Sequence, residues 1–443
     1  MQGVERELWA TAQKNIHFPL SKTTDSMYWK KKTHEQIKQH IFSALEANLD
    51  YRGDRPILGI PGTYLDTTEF YPDAPFLKDA PYMSAMVRNP NHIGVHTLSE
   101  TSVLPVFAGT QDVEKDLIRL CAEEIFQAAP NTVDGYVATG GTEANLEAMW
   151  VYRNYFMREK GAKLEEIGLV YSSDSHYSMP KGANILQLQN IIVPVTEDTR
   201  EVTEEALEKA IAAAQEQGVH YFIVIANLST TMFGSVDDID RYGDFFSSRE
   251  LPFMLHVDAA YGGFIYPFTH AESRFTFQNK YMNSITADGH KMLQTPYGTG
   301  LFLIRKGFFD YVKTDEAQYI PGKDYTISGS RSGANAISMW MILQIHGSEG
   351  WRYKMEMLCD RTERICNKLK DAGIPFFRNP YLNIIAIRAA YVPAALAEKY
   401  QLVADSYEHQ PKWYKIVVMP HVRPGVLDQF VLELLSPKQQ PVA

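Results

Sequence analysis

The sequence predicts an α/β protein with a mostly parallel sheet, helices on both faces of that sheet, and a smaller C-terminal α/β domain. Short apolar runs rich in β-branched residues alternate with amphipathic helical patterns from about residue 111, which is typical of parallel sheets covered on both faces. After residue 335 long helical patterns replace this alternation. At 443 residues the chain also exceeds the usual size of one domain.

Three regions are predicted along the chain. Residues 1–60 are polar and contain the helical pattern HEQIKQHIFSALEANL, which indicates an N-terminal helical arm. Residues 61–335 begin with an extended segment rich in Gly, Pro and Tyr and form the predicted large domain. Residues 336–443 carry two long helical patterns and then a βαβ-like tail, NIIAIRA followed by KIVVMP, and form the predicted small domain.

Seven strands are predicted in the large domain, with helices between several of them. The helical patterns are QDVEKDLIRLCAEEIFQAA, TEANLEAMWVYRNYFMREKG and TEEALEKAIAAAQEQG. The predicted strands are GYVA, LVYSS, NIIVPV, YFIVIANL, FMLHV, SITA and GLFLIRK. Ligands of such sheets bind beyond the carboxyl ends of the strands, so the residues that follow each strand are the candidate site residues.

The composition argues against several classes of function. The net charge is −10 and no long Lys/Arg block occurs, so neither nucleic acid nor an anionic membrane is expected as a partner. Apolar runs are too short to span a bilayer, and the charged N-terminal stretch MQGVERELWATAQK does not resemble a signal peptide. Three cysteines without CxxC spacing, Cys121, Cys359 and Cys366, predict reduced thiols and a cytoplasmic location. No metal site is predicted.

The strand GYVA is followed by TGGTEAN, which begins a helix. Gly140 and Gly141 allow backbone N–H groups to approach an anion, the helix N-terminus adds partial positive charge, and Thr142 adds a hydroxyl. The segment lacks the glycine spacings of the common nucleotide-binding loops. By itself it fits a phosphate site and a simple helix-capping turn about equally well.

Asp258 follows the strand FMLHV, within HVDAAYGG. A carboxylate in this place lies at the edge of the sheet, and buried carboxylates are rarely left unpaired. It either caps the next turn or pairs with a cationic ring nitrogen. Ala259 and Ala260 are small enough to let a flat ring lie close.

The predicted strand SITA leads into DGHKML, which contains the pair His290 and Lys291. The predicted strand LVYSS leads into DSHYSMPKGA, which contains His176. A lysine near apolar surface and other cations has a lowered pKa and becomes a nucleophile for carbonyl groups, whereas an isolated lysine at such an edge stays solvated. His176 is either a structural histidine or a flat face that covers a ligand ring.

These features are more specific together than apart. A phosphate-binding turn, a histidine face, an aspartate and a lysine, in this chain order, are what pyridoxal 5'-phosphate requires. That cofactor carries a phosphate, a pyridine nitrogen and an aldehyde that forms a Schiff base with lysine. Lys291 is therefore the predicted Schiff-base lysine.

With these motifs the chain resembles the group II pyridoxal-phosphate-dependent amino-acid decarboxylases, which share the type I fold of aspartate aminotransferase. The resemblance covers about residues 85–345 and is carried by TGGTEAN, HYS, HVDAAYGG, DGHK and GSRSGA. GSRSGA resembles the short microbial tyrosine/aspartate decarboxylases and also the sphingosine-phosphate lyases. The resemblance implies conversion of an aromatic or acidic L-amino acid into its amine and CO₂, in a homodimer whose active site is shared.

The resemblance also implies roles for individual residues. Lys291 would hold the cofactor and Asp258 would pair with the ring nitrogen. Ser330 would contact the phosphate bound by the partner subunit. The remaining implied cofactor contacts are the ring-stacking His176 and Ala260, the phosphate ligands Gly141 and Thr142, and the nearby His290 and Thr230. Where the family usually has Gly-Thr-Thr, this chain has a serine before Thr230, and serine restricts backbone angles that glycine accepts.

A loop at 313–327, KTDEAQYIPGKDYTI, precedes the GSR turn and resembles the mobile catalytic loop of the family. It carries Tyr319 and Tyr325. Lysine, histidine or tyrosine can return a proton to Cα, and Tyr319 is the predicted donor. The alternative is a tyrosine that only packs the loop onto the body of the protein.

The predicted substrate contacts lie in the extended segment before residue 111. Tyr82 and the aromatic residues before it suit an aromatic substrate side chain, whereas His92 and His96 suit a polar or acidic one. The same residues also fit loop packing.

Two other functions remain open from the sequence. One is a carbon–carbon lyase that acts on a phosphorylated amino alcohol, against which the lack of a predicted membrane anchor argues. The other is a catalytically degenerate paralogue that binds only cofactor or a partner, against which the intact Lys291, Asp258 and His176 argue.

Overall fold

A computed structural model describes residues 29–48, 107–314 and 323–436 of the chain. Its centre is a seven-stranded sheet. The strands are β1 (Val133–Ala138), β2 (Ile167–Ser172), β3 (Gln189–Val193), β4 (Tyr221–Asn227), β5 (Phe253–Asp258), β6 (Met282–Asp288) and β7 (Gly300–Arg305). Their order across the sheet is β1-β7-β6-β5-β4-β2-β3.

The predicted mostly parallel sheet of seven strands is confirmed. The strands from β6 across to β3 pair in parallel, and β7 runs antiparallel to both β6 and β1. Because β7 is the one reversed strand of this sheet, β1 runs in the same direction as the parallel group. The carboxyl ends of β1, β2, β4, β5 and β6 therefore meet at one edge, where ligands of such sheets bind.

Helices cover both faces of the sheet. Buried side chains of α3 and α4 form one apolar cluster, and those of α2, α5, α6 and the first half of α8 form part of the other. The helices are α1 (His34–Ala47), α2 (Ala108–Arg119), α3 (Gly141–Glu159), α4 (Ser178–Leu186), α5 (Glu204–Glu216), α6 (Ile239–Ser248), α7 (Tyr266–Thr269), α8 (Gly333–Asp371), α9 (Ala394–Lys399) and α10 (Pro424–Leu434).

Local sequence signals account for several helix ends. Thr33 and Gln36 form a capping box at the start of α1, and Thr203 accepts a hydrogen bond from the backbone N–H of Ala206 at the start of α5. The predicted helix after residue 110 is observed as α2 followed by a π-helical turn, Leu120–Ile125.

The C-terminal part forms a second sheet in the order β10-β11-β9-β8. Its strands are β8 (Phe376–Phe377), β9 (Ile384–Arg388), β10 (Val403–Ala404) and β11 (Trp413–Val417). The smaller α/β unit is thus confirmed. The βαβ-like assignment of its tail is wrong, because β9 and β11 pair antiparallel. Apolar patterning shows that a strand is buried but not the direction in which it runs.

Helix α8 joins the two parts of the fold. It is 39 residues long and is broken at Gly347, whose backbone has φ 65° and ψ 174°. Its buried residues as far as Leu358 belong to the core of the large sheet, and those from Ile365 onward belong to the C-terminal core. None of the helices within 29–48, 107–314 and 323–436 combines the length and apolarity that a bilayer crossing requires.

Candidate active site

A cleft of about 300 Å³ lies beyond the carboxyl ends of the parallel strands. Nine of the ten predicted cofactor residues line it. They are Gly140, Gly141, Thr142, His176, Thr230, Asp258, Ala260, His290 and Lys291. The strand-end rule therefore selected residues that are far apart in sequence and adjacent in the fold.

The turn between β1 and α3 forms one side of the cleft. Gly140 has a φ of 145°, a conformation that favours glycine. A Cβ on Gly141 would lie 3.0 Å from Oδ2 of Asp288 and 3.1 Å from Cβ of Ala260, so a larger residue would crowd both neighbours. Gly141 is the first residue of the 19-residue α3, whose N-terminal N–H groups and dipole favour a bound phosphate.

Asp258 is the last residue of β5 and is 6% exposed. Its Oδ2 accepts a hydrogen bond from Nδ2 of Asn145 at 3.0 Å, and its Oδ1 accepts one from the backbone N–H of Ala260 at 3.1 Å. The carboxylate is thus held by two donors at the floor of the cleft. It is placed to pair with a cationic nitrogen of a bound ring.

Lys291 lies three residues beyond the end of β6. Its Nζ is 3.2 Å from Oδ2 of Asp288, and Nε2 of His290 is 3.5 Å from the same oxygen. Burial raises the pKa of Asp288, while the charges of Lys291 and His290 act in the opposite direction. Oδ1 of Asp288 is buried and accepts no hydrogen bond from the described part of the chain. The carboxylate therefore holds the Lys291 ammonium at the cleft.

His176 lies beyond β2, where its ring also contacts Tyr177 at 4.0 Å between ring centres. Its Nδ1 lies 2.9 Å from Oγ of Ser178 and accepts the backbone N–H of the same residue. Burial lowers the pKa of His176; Asp258 opposes this shift and Lys291 adds to it. A neutral imidazole with one nitrogen anchored is suited to lie flat against a ligand ring.

The serine that replaces the usual glycine, Ser229, adopts a φ of 83°. It keeps the backbone conformation that glycine would take, at a cost of about 1–3 kcal/mol for a residue with a side chain. Thr230 consequently lines the cleft, where its Oγ1 lies 2.7 Å from Oγ of Ser235.

One predicted cofactor residue, Ser330, lies away from this cleft within the single chain. Ser330 is exposed on the turn before α8 and does not line the cleft, which leaves its expected role toward the partner subunit as a prediction. Tyr82, His92, His96 and Tyr319 lie outside the described residues.

The second tyrosine of the predicted catalytic loop, Tyr325, is half-buried and packs edge-on against Phe309 at 6.3 Å between ring centres. Tyr325 therefore packs the loop onto the body of the protein, which is the alternative role that the sequence left open for a loop tyrosine.

Sequence reasoning missed three residues that line the cleft or the adjoining groove. Asn145 occurs within the quoted motif TGGTEAN, inside a helical pattern, and has no strand-end signal. Asp288 directly follows the predicted strand SITA, so the strand-end rule could have selected it. Lys415, on β11, lines a groove of about 610 Å³ that shares His176, Tyr177 and Thr231 with the cleft. No local signal connects a lysine of the C-terminal sheet with this edge of the large sheet.

The cleft fits pyridoxal 5'-phosphate. A helix N-terminus with two glycines suits its phosphate, a buried carboxylate suits its ring nitrogen, and an ammonium held by a buried acid suits its aldehyde. Oδ1 of Asp288, which has no hydrogen-bond partner among the described residues, adds an acceptor beside that amine.

Comparison with known proteins agrees with this fit. Residues 111–378 match the family described as the pyridoxal-dependent decarboxylase conserved domain. The chain is 46% identical over 407 residues to a tryptophan decarboxylase of Clostridium sporogenes, covering 92% of this chain and 97% of that protein. It is 31% identical over 369 residues to a probable L-tyrosine/L-aspartate decarboxylase of Methanocella arvoryzae, covering 81% and 94%.

Two solved structures share the fold. An L-methionine decarboxylase from Streptomyces sp. 590 has a TM-score of 0.66 at 17% identity, covering 90% of this chain and 93% of that one. A sphingosine-1-phosphate lyase from Burkholderia pseudomallei has a TM-score of 0.66 at 18% identity, covering 96% and 93%. At these identities the likeness concerns the fold alone. The family match and the two similar decarboxylases show that the chain belongs to the pyridoxal-dependent decarboxylases and is an enzyme that uses pyridoxal 5'-phosphate to remove CO₂ from an amino acid.

Proposed function

We propose that the substrate is an aromatic L-amino acid, with tryptophan first among the candidates, and that the products are the corresponding arylalkylamine and CO₂. The observation that carries this proposal is the 46% identity to a tryptophan decarboxylase over 97% of that protein's length. The test is a panel of L-amino acids scored for CO₂ release. Preferential release from tryptophan supports the proposal, and preferential release from aspartate or histidine contradicts it.

We assign the cofactor contacts as follows. Lys291 supplies the amine that binds the aldehyde carbon, and Asp258 pairs with the ring nitrogen. His176 and Ala260 lie on the two faces of the ring. Gly140, Gly141, Thr142 and His290 surround the phosphate, with Thr230 at the ring edge. When bound, pyridoxal 5'-phosphate supplies an electron sink for the electron pair left at Cα when CO₂ departs.

The residues around Lys291 have separate tasks in this proposal. Asp288 lies 3.2 Å from the Lys291 amine and positions it before the cofactor binds. His290 is itself held by Nδ1, which lies 2.9 Å from the backbone oxygen of Thr299. The buried carboxylate thus contacts both side chains at the same corner of the cleft.

Lys415 is the proposed ligand of the substrate carboxylate. Burial lowers the pKa of Lys415, and the nearby charge of Lys291 lowers it further. Its Nζ donates to the backbone oxygen of Thr231 at 3.1 Å, so the side chain is held beside a residue that lines both the groove and the cleft.

Replacing Lys415 with methionine is expected to raise KM for the amino acid about 10- to 100-fold, since a hydrogen bond to a charged group contributes about 1.5–3 kcal/mol. The turnover number should change less. Lys412 is an exposed lysine that lines the same groove and provides the control variant Lys412→Met. Steady-state kinetics on both variants decide the matter, and a KM that is unchanged in Lys415→Met excludes the assignment.

Tyr319 is proposed as the group that protonates Cα after CO₂ has left. The variant Tyr319→Phe is expected to stall turnover or divert product toward the aldehyde, with a loss of amine formation of about 100-fold or more, the usual size of a general-acid contribution. The matched control is Tyr325→Phe, because that ring packs on Phe309. Product analysis that finds normal amine formation in Tyr319→Phe rules out this role.

We also propose a homodimer with shared active sites, a cytoplasmic location, and domain boundaries near residues 60 and 335. Ser330, exposed on its turn, is available to a second subunit, and the three cysteines are free in the structure. Sedimentation tests the dimer. Mixing Ser330→Ala subunits with Lys291→Ala subunits tests the shared site, because activity returns only if one site takes Lys291 from one chain and Ser330 from the other.

A further inference from the structure

A line of buried polar side chains runs from the body of the protein to Asp258. Its members, here called the relay, are fully or almost fully buried between α3 and the strands β5 and β6. They are Tyr152, Ser284, His256 and Asn145. The assigned cofactor contacts do not use them, and polar groups at this depth are costly unless each one is hydrogen-bonded.

The fold places the relay by register. Asn145 and Tyr152 are seven residues apart on α3, which puts them on one face of that helix. His256 of β5 is the register partner of Ser284 of β6. His256 and Asp258 are two residues apart on β5 and therefore point to the same side of the sheet.

The contacts assign donors and acceptors. Asn145 must direct its Nδ2 at the carboxylate of Asp258, 3.0 Å away, so its Oδ1 faces Nε2 of His256 at 2.9 Å. Nε2 must then carry the proton, because a carbonyl oxygen only accepts. Burial lowers the pKa of His256 to about 4, against a smaller opposing effect of Asp258, so the imidazole is neutral at pH 7 and its Nδ1 is an acceptor.

The remaining contacts continue in the same direction. Ser284 lies 2.7 Å from Nδ1 of His256 and donates its hydroxyl to it, and Tyr152 donates to Ser284. Oγ1 of Thr286, 3.2 Å from Nε2 of His256, offers the same proton a second acceptor. Every donor in the relay therefore points toward Asp258.

The relay also reaches His176. The same Nδ2 of Asn145 lies 3.2 Å from Oγ of Ser178, which in turn lies 2.9 Å from Nδ1 of His176. One amide thus contacts the carboxylate assigned to the ring nitrogen and, through one hydroxyl, the imidazole assigned to the ring face.

We infer that the relay is a positioning device: the Nε2-protonated tautomer of His256 orients the amide of Asn145, which sets the carboxylate of Asp258 and the ring of His176 together. This inference rests on the proposed role of Asp258 toward the ring nitrogen. Its consequence is that a change at His256, which does not line the cleft, alters the protonation of the cofactor ring.

Two substitutions of His256 test the roles of its two imidazole nitrogens separately. His256→Gln carries its amide nitrogen at the distance of Nε2 and can still donate to Asn145, whereas His256→Asn reaches only the position of Nδ1. Each apoenzyme is reconstituted with pyridoxal 5'-phosphate labelled with ¹⁵N in the ring. The readouts are the ring-nitrogen chemical shift at pH 7 and the affinity of the apoenzyme for the cofactor.

We expect His256→Gln to keep the shift of a protonated ring nitrogen and to bind cofactor within about twofold of the original chain. We expect His256→Asn to move the shift toward that of the neutral ring and to weaken cofactor binding at least about tenfold, the size of effect that follows when a buried donor or acceptor loses its partner. If both variants retain the protonated shift, or lose affinity equally, His256 is only a packing residue and the inference is wrong.

Two further variants keep the test decisive. If His256→Asn does not fold, Ser284→Ala replaces it, because it removes the hydroxyl that donates to Nδ1 of His256 and holds the ring in place. Unchanged shift and affinity in that variant overturn the relay. Asp258→Asn tests the proposed function separately. A protonated ring nitrogen in Asp258→Asn would refute the assignment of Asp258 itself, whatever the His256 variants show.

Discussion

Replacing Lys291 with alanine is expected to lower decarboxylation by at least about 1,000-fold. The variant loses the amine to which we assign attachment of the cofactor, and it also loses a group that can move protons at the reacting carbon, a contribution of about 10²–10⁴ by itself. Asp288 is left buried without the ammonium that lies 3.2 Å from it. CO₂ release measures the loss of activity, and borohydride treatment followed by mass spectrometry measures attachment.

The reduced original chain should gain the mass of one pyridoxyl phosphate, whereas Lys291→Ala should gain none. Lys181→Ala is the matched control, since Lys181 is an exposed lysine 4.8 Å from the ring of Tyr177, at the rim of the same cleft. Cofactor mass that remains on the reduced Lys291→Ala protein would place the attachment at another lysine and overturn the assignment of the site.

The variant Asp258→Asn is expected to reduce the turnover number about 100-fold while cofactor affinity falls by much less. An ion pair shifts a neighbouring pKa by about 1–3 units, so loss of the carboxylate leaves the ring nitrogen largely neutral and weakens the electron sink. The amide has nearly the same shape, and its oxygen can still accept the hydrogen bond from Asn145. Binding should therefore survive better than catalysis.

Single-turnover kinetics and cofactor titration of the apoenzyme separate the two effects. Asp198→Asn, at a side chain that is 92% exposed, is the control for removal of one negative charge. Turnover equal to that of the original chain in Asp258→Asn would show that the carboxylate does not serve the ring.

Much of this site could be predicted because it follows a rule of sheet topology. Asp258 and Lys291 each follow a short apolar run, and parallel strands bring such positions to one edge. Lys415 could not be found in this way, since it arrives from the antiparallel C-terminal sheet, whose position against the large sheet has no local signal. Asn145 and His256 were also missed, because a buried hydrogen bond across 111 residues of sequence leaves no trace in periodicity.

The same distinction applies to the fold. Alternation of apolar runs and helices predicted the layers correctly, since burial on both faces determines composition directly. The reversed direction of β7 and the antiparallel pairing of β9 with β11 were not predicted, because an apolar run has the same composition in either direction.

Helix α8 has a consequence for chimeric enzymes. Its first part packs Trp340 and Trp351 into the core of the large sheet, and its last turns pack Ile365 and Leu369 into the C-terminal core. A C-terminal domain grafted from a relative at residue 336 would therefore bring foreign side chains into the host's own interior. A junction between Leu358 and Ile365 leaves each interior native, so grafts made there should express as folded hybrids more often than grafts made at the start of the helix.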